Sequence, residues 1–126
     1  MIGTLAYADV YGAPDARLLD DEGSLAVIVS DACARGRATV LRVLKHRFVP
    51  QGVTVVALLA ESHAAVHTYP EDRSYMVDVF TCGTTADAAG IAYEIVMILG
   101  GTGTVRVVDR GDNARRQTDQ ADKKTA

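Results

Sequence analysis

The sequence predicts an α+β fold, a two-layer sandwich in which two helices cover one face of an antiparallel sheet. Three observations predict it. Short β-rich segments divided by turn residues outnumber helical stretches, and only two stretches carry apolar residues at 3–4-residue spacing. The order β-α-β-β-β-β-α-β departs from the strict strand–helix alternation of a parallel sheet. At 126 residues the chain has the length of a single domain.

Each element has its own local warrant. Residues 4–11 (TLAYADVY) are rich in strand formers and are closed by Gly12-Ala13-Pro14-Asp15, a turn sequence. Over residues 20–34, Leu25, Ile28, Val29, Ala32 and Cys33 share one helical stripe. Acidic residues crowd its start and Arg35-Gly36 closes it, as the helix dipole favours. Residues 38–48 alternate as a strand, with Val40, Arg42 and Leu44 on one side and Leu41, Val43 and Lys45 on the other. Pro50-Gln51-Gly52 breaks that run, and residues 53–60 (VTVVALLA) follow as a buried strand. The pattern leaves open whether 53–69 is continuous. Residues 64–69 and 75–81 are β segments around a turn at 70–74. Thr84-Thr85-Ala86-Asp87 opens the second helix, whose stripe is Ala88, Ile91, Ala92, Ile95, Val96 and Leu99. Gly100-Gly101 stops it, and residues 104–108 (TVRVV) form the last strand.

Residues 110–126 hold five basic and three acidic side chains and three alanines as their only apolar content. Such a segment does not repay its ordering entropy, so the expectation is a domain over 1–109 and a disordered tail. The net charge of −3 and pI near 5.5 argue against a nucleic-acid binder. No apolar run approaches the ~20 residues that span a bilayer, and residues 1–11 lack the basic start of a secretory signal. Two cysteines, Cys33 and Cys82, form no CxxC, which suits reduced thiols in a cytoplasm. Cys33 belongs to the helix stripe and is structural. So apolar a sheet has a second face to hide, which predicts a homodimer with sheets stacked or edge-joined.

Most reactive side chains fall in one window: Glu61, Ser62, His63, His67, Tyr69, Glu71, Asp78 and Cys82. His63 and His67 lie roughly 13 Å apart along a strand, too far to share an ion, so no metal is expected. Ser62 lacks a GxSxG elbow. Lys45 is the only lysine outside the tail, which leaves pyridoxal phosphate chemistry without support, and neither GxGxxG nor a Walker loop occurs.

Four blocks carry a resemblance: His46-Arg47-Phe48-Val49-Pro50-Gln51-Gly52-Val53-Thr54, Leu59-Ala60-Glu61-Ser62-His63, His67-Thr68-Tyr69-Pro70-Glu71 and Asp78-Val79-Phe80-Thr81-Cys82-Gly83. Together, at this spacing, they resemble the bacterial and archaeal S-adenosylmethionine decarboxylase proenzymes. The resemblance implies that the chain cuts itself at Glu61–Ser62, giving a β chain of 1–61 and an α chain of 62–126. The α chain would begin with a pyruvoyl group made from Ser62, which binds substrate as a Schiff base and takes the place of pyridoxal phosphate.

The same resemblance assigns roles. Thr54 matches the hydroxyl that stabilises the processing oxyanion, where serine is more familiar. His67 matches the base that removes the Ser62 Cα proton. Cys82 matches the acid that reprotonates the substrate carbon. Phe48 matches an aromatic that stacks on adenine, and Glu71 a carboxylate that accepts hydrogen bonds from ribose hydroxyls. The implied product is the aminopropyl donor of polyamine biosynthesis.

Two departures bear on substrate. Gly3-Thr4-Leu5 stands where the family has Gly-Arg-His, and Asp72-Arg73-Ser74-Tyr75-Met76 replaces aromatic and small residues. S-adenosylmethionine remains the leading substrate. A relative acting on L-ornithine or L-arginine stays open, with Asp72 meeting the distal amine or guanidinium. A non-enzymatic scaffold or allosteric paralogue also stays open, although it would need none of Ser62, His67 and Cys82.

Overall fold

The protein is described by a computed structural model that covers residues 2–111. Its strands are β1 (Gly3–Val10), β2 (Val40–Arg47), β3 (Val53–Leu59), β4 (Ser62–Tyr69), β5 (Ser74–Cys82) and β6 (Arg106–Arg110). Its helices are α1 (Glu22–Arg35) and α2 (Ala88–Leu99). The strands form one sheet in the order β2-β3-β4-β5-β1-β6, every neighbouring pair antiparallel. Helix α1 packs on β2, β3 and β4, helix α2 on β1 and β5, and the helices touch each other. The fold is therefore the expected α+β sandwich.

Period-two alternation builds the core. Val53, Val55, Ala57 and Leu59 of β3 and Tyr75, Val77 and Val79 of β5 are buried toward the helices, against Leu25, Val29, Ile91 and Ile95. The phenol of Tyr75 donates to the Gly100 carbonyl at 2.7 Å, which satisfies its polar tip where α2 ends. Cys33 is fully buried, and that burial pushes its thiol up to about 11, as befits a packed side chain. Among the described residues, no helix covers the opposite face of the sheet.

The structure answers the question left open over 53–69 and moves several other boundaries, for physical reasons. Residues 53–69 are not continuous: the chain reverses at Ala60–Glu61, and Leu59 pairs with Ser62 across a tight hairpin. In β2 the register slips between Val40 and Arg42, a bulge that turns both Val40 and Val43 toward the core instead of placing Val40 with Leu44. Asp20 belongs to a short 3-10 turn, Leu18–Asp20, and Asp21 caps α1 by accepting from the Ser24 N–H. Likewise 84–87 are not helical; Asp87 caps α2 by accepting from the Gly90 N–H.

The last strand runs two residues further than expected. Arg110, expected in the tail, pairs with Gly3, and its guanidinium lies 5.0 Å from the centre of the Phe80 ring. Residues 112–126 of the expected disordered tail lie outside the described residues. Among the described residues no helix is long and apolar enough to cross a membrane.

Candidate active site

The β3–β4 hairpin places the Glu61–Ser62 peptide at a corner of the sheet. Three backbone partners hold that corner. The Cys82 N–H, at the end of β5, donates to the Glu61 carbonyl at 2.9 Å. The Thr39 N–H donates to Glu61 Oε1 at 2.8 Å, and the Ala60 N–H donates to the Thr39 carbonyl at 2.9 Å. The Thr39 N–H in particular holds the Glu61 carboxyl below the usual carboxylate range. Ser62 itself pairs with Leu59 and Thr81 and has φ 155°, at the margin of extended backbone on the side L-residues seldom occupy. The Cys82 thiol is exposed beside it in the ladder.

This arrangement has a chemical consequence. A carbonyl that already accepts a fixed N–H is polarised toward attack, and the same donor stabilises the oxyanion that attack creates. The residue on the other side of that peptide bond, Ser62, carries a hydroxyl.

A second cluster lies toward the far end of the same strands. Thr54 and His67 are ladder partners, with Oγ1 and Nδ1 3.0 Å apart. They line a cavity of about 320 Å³ together with Phe48, Gln51, Tyr69 and Glu71. The Phe48 ring meets His46 edge-on at 4.6 Å. Asp72 and Arg73 are not part of that lining. Arg73 turns away: its guanidinium donates to the Pro14 carbonyl at 3.5 Å and its carbonyl accepts from the Ala13 N–H.

The structure thus brings together Glu61, Ser62 and Cys82 in one place, and Phe48, Thr54, His67 and Glu71 in another. It does not join the two within one chain. Ser62 and His67 lie five positions apart along β4, about 17 Å at the usual strand rise. The Cys82 and Thr39 N–H groups went unrecognised in the sequence because backbone donors have no residue signature; only the strand register reveals them.

Comparison with known proteins gives the family and the fold. The profile of the S-adenosylmethionine decarboxylase family matches residues 4–111. The S-adenosylmethionine decarboxylase proenzyme of Synechococcus sp. (strain WH7803) is 48% identical over 83 residues, 66% of this chain and 64% of that protein. That of Pyrobaculum arsenaticum is 43% identical over 88 residues, 69% of this chain and 70% of its own. The crystal structure of the adenosylmethionine decarboxylase from Aquifex aeolicus superposes with a TM-score of 0.80 at 32% identity, covering 87% of this chain and 91% of that one. The match spans less than two thirds of the Synechococcus relative's length.

Proposed function

The chain belongs to the S-adenosylmethionine decarboxylase family, and on that premise we propose that it is a self-cleaving proenzyme whose processed form decarboxylates S-adenosylmethionine. The product would serve as an aminopropyl donor in polyamine synthesis. The observation that carries this reading is the hairpin corner, where the carbonyl preceding Ser62 rests on the Cys82 N–H.

Cleavage follows from that placement. Ser62 Oγ attacks the Glu61 carbonyl carbon, and the charge falls on the oxygen that the Cys82 N–H already meets. The C–N bond breaks, the Ser62 nitrogen takes a proton, and an ester joins Glu61 to Ser62 Oγ. A base removes the Ser62 Cα proton and the Glu61 carboxylate departs. The dehydroalanine left at position 62 takes up water and loses ammonia, leaving a pyruvoyl group on the new amino terminus.

His67 suits the base. In the tautomer whose Nδ1–H donates to Thr54 Oγ1, Nε2 is free to accept the proton and the Thr54 O–H is free to meet the oxyanion. The pyruvoyl carbonyl supplies the electron sink for loss of carbon dioxide. Cys82, exposed next to the corner, holds the proton that returns to the substrate carbon. Phe48 offers a ring face to adenine and Glu71 a carboxylate to ribose hydroxyls, both from one cavity. Asp72 lies outside that lining, so the L-ornithine and L-arginine reading loses the carboxylate it needed. Two unpaired thiols suit a reducing compartment, and the reading places the enzyme in the cytoplasm.

Separation of the two clusters makes the working unit a dimer. His67 does not reach Ser62 of its own chain across about 17 Å. The uncovered sheet face carries Leu5, Val56, Leu58, Met76 and Phe80, an apolar surface that a second copy can bury. A two-fold axis running across the strands lays the His67 end of one sheet over the Ser62 end of the other. Both sites are then completed at once, as isologous symmetry requires.

Intact mass tests the reading first. Purified protein should be two fragments meeting at 61/62 and should release carbon dioxide from S-adenosylmethionine; an uncut chain with Ser62 unmodified would end it. Co-expression then tests the shared site. Ser62→Ala and His67→Ala chains alone should both stay uncut, yet expressed together about half of the His67→Ala chains should be cleaved, the fraction paired at random with the other variant. Absence of rescue would place both groups in one chain.

A further inference from the structure

The wall of the cavity that carries Phe48 has little apolar anchorage. Phe48 is 48% exposed and Val49 is 91% exposed, and both follow an edge strand whose last residues are exposed. Polar ties hold the loop instead. Within it, the Phe48 N–H donates to the Gly52 carbonyl at 2.7 Å, and Arg47 reaches the Pro50 carbonyl at 3.4 Å. The tie to the rest of the molecule comes from the helix layer. Asp20, in the 3-10 turn before α1, accepts the Gly52 N–H on Oδ1 at 2.9 Å and the Arg47 guanidinium on Oδ2 at 2.6 Å. Its neighbour Leu19 is buried and accepts from the Thr68 hydroxyl at 2.5 Å, and that hydroxyl also accepts from the Val53 N–H. One short turn thus grips the cavity rim at both ends of the Phe48 loop.

We infer that Asp20 is a positioning residue for the Phe48 wall of the binding cavity, acting through Gly52 and Arg47 without touching substrate. The inference rests on the proposed reading of that cavity. A carboxylate serves here because two donors of different kind, a neutral amide and a guanidinium, must be met by two oxygens of one planar group. Asparagine keeps the acceptor for Gly52 and loses the charge opposite Arg47, whereas alanine loses both. The expected order of effect is therefore alanine beyond asparagine.

The experiment uses full-length wild type, Asp20→Asn, Asp20→Ala and Arg47→Ala. With Asp20→Ala, the KM for S-adenosylmethionine should rise about tenfold, with kcat changed far less, the mark of displaced binding groups rather than lost chemistry. Asp20→Asn should fall between Asp20→Ala and wild type, and Arg47→Ala should raise KM while leaving the Gly52 tie intact. Amide hydrogen exchange over residues 47–53 reads the positioning without turnover, and should quicken in Asp20→Ala and recover in Asp20→Asn. Unchanged exchange and KM in Asp20→Ala would overturn the inference, as would asparagine matching alanine in both readouts. Should Asp20→Ala fail to fold, the asparagine and Arg47→Ala arms decide by the same two readouts. Failure of wild type to cleave would instead strike the decarboxylase reading and leave the exchange result to judge Asp20 alone.

Discussion

Glu61 shows how much one residue does beyond its side-chain type. Its carbonyl rests on the Cys82 N–H and its carboxylate on the Thr39 N–H, so the bond proposed to break is held from two sides. Glu61→Ala should slow self-cleavage by about tenfold, since Glu61 loses one of its own two anchors, while Glu61→Gln keeps an acceptor and should restore most of the rate. Time courses of fragment appearance on denaturing gels measure this. Cys82→Ala retains the backbone donor and should still cleave, although the processed enzyme turns over poorly. The side chains proposed for this site were named in the sequence through the resemblance of four blocks to one family, since each taken alone also has a purely structural reading. The two N–H donors were not, because every residue but proline carries one and only the fold selects which are aimed.

At the scale of elements, the type of each segment was written in its periodicity, and its ends in its caps. Asp87 is an example: the sequence placed it in the opening of the second helix, and the structure makes it the cap that accepts the Gly90 N–H at 2.9 Å. Asp87→Ala should cost about 1 kcal/mol, the usual loss of an N-cap. That corresponds to a fall in Tm of about 5 °C for a domain of this size, measured by thermal unfolding. Periodicity missed the bulge in β2 and left the reversal at Ala60–Glu61 open. The bulge in β2 and the reversal at Ala60–Glu61 each depend on what the neighbouring strand offers. A window along the chain has no access to that neighbour, and the hydrophobic run 53–60 looks the same whether it turns or continues.

Over the whole molecule, buried and tethered titratable groups set the pH range of stability. Arg47 holds Asp20 below the usual carboxylate range, and the Ser24 and Thr39 N–H groups do the same for Asp21 and Glu61. A carboxyl depressed by folding contributes stability that is present above its unfolded pKa and lost as pH falls through the folded one. Stability should accordingly hold down to about pH 4 and decline below it. Burial acts oppositely on Cys33, raised from 9.0 to about 11, and on Tyr75, raised from 10.0 to about 12. Their contributions are complete below pH 9.0 and are lost as pH rises through the folded values. Urea midpoints followed from pH 3 to pH 11 would show both limbs, and Cys33→Ala should flatten the alkaline one. From sequence alone came the parts: two helices, a largely antiparallel set of strands, and the Ser62, His67 and Cys82 groups at the spacing of one family. The elements depend on local periodicity, which any short window contains, and the three groups on the resemblance of four sequence blocks to one family. Only the tertiary structure decided that Ser62 and His67 fall into separate clusters, that Cys82 presents its N–H to the Glu61 carbonyl, and that Asp20 reaches Gly52 from the turn before α1. Those relations arise from strand register and layer packing, where nearness along the chain and nearness in space part company.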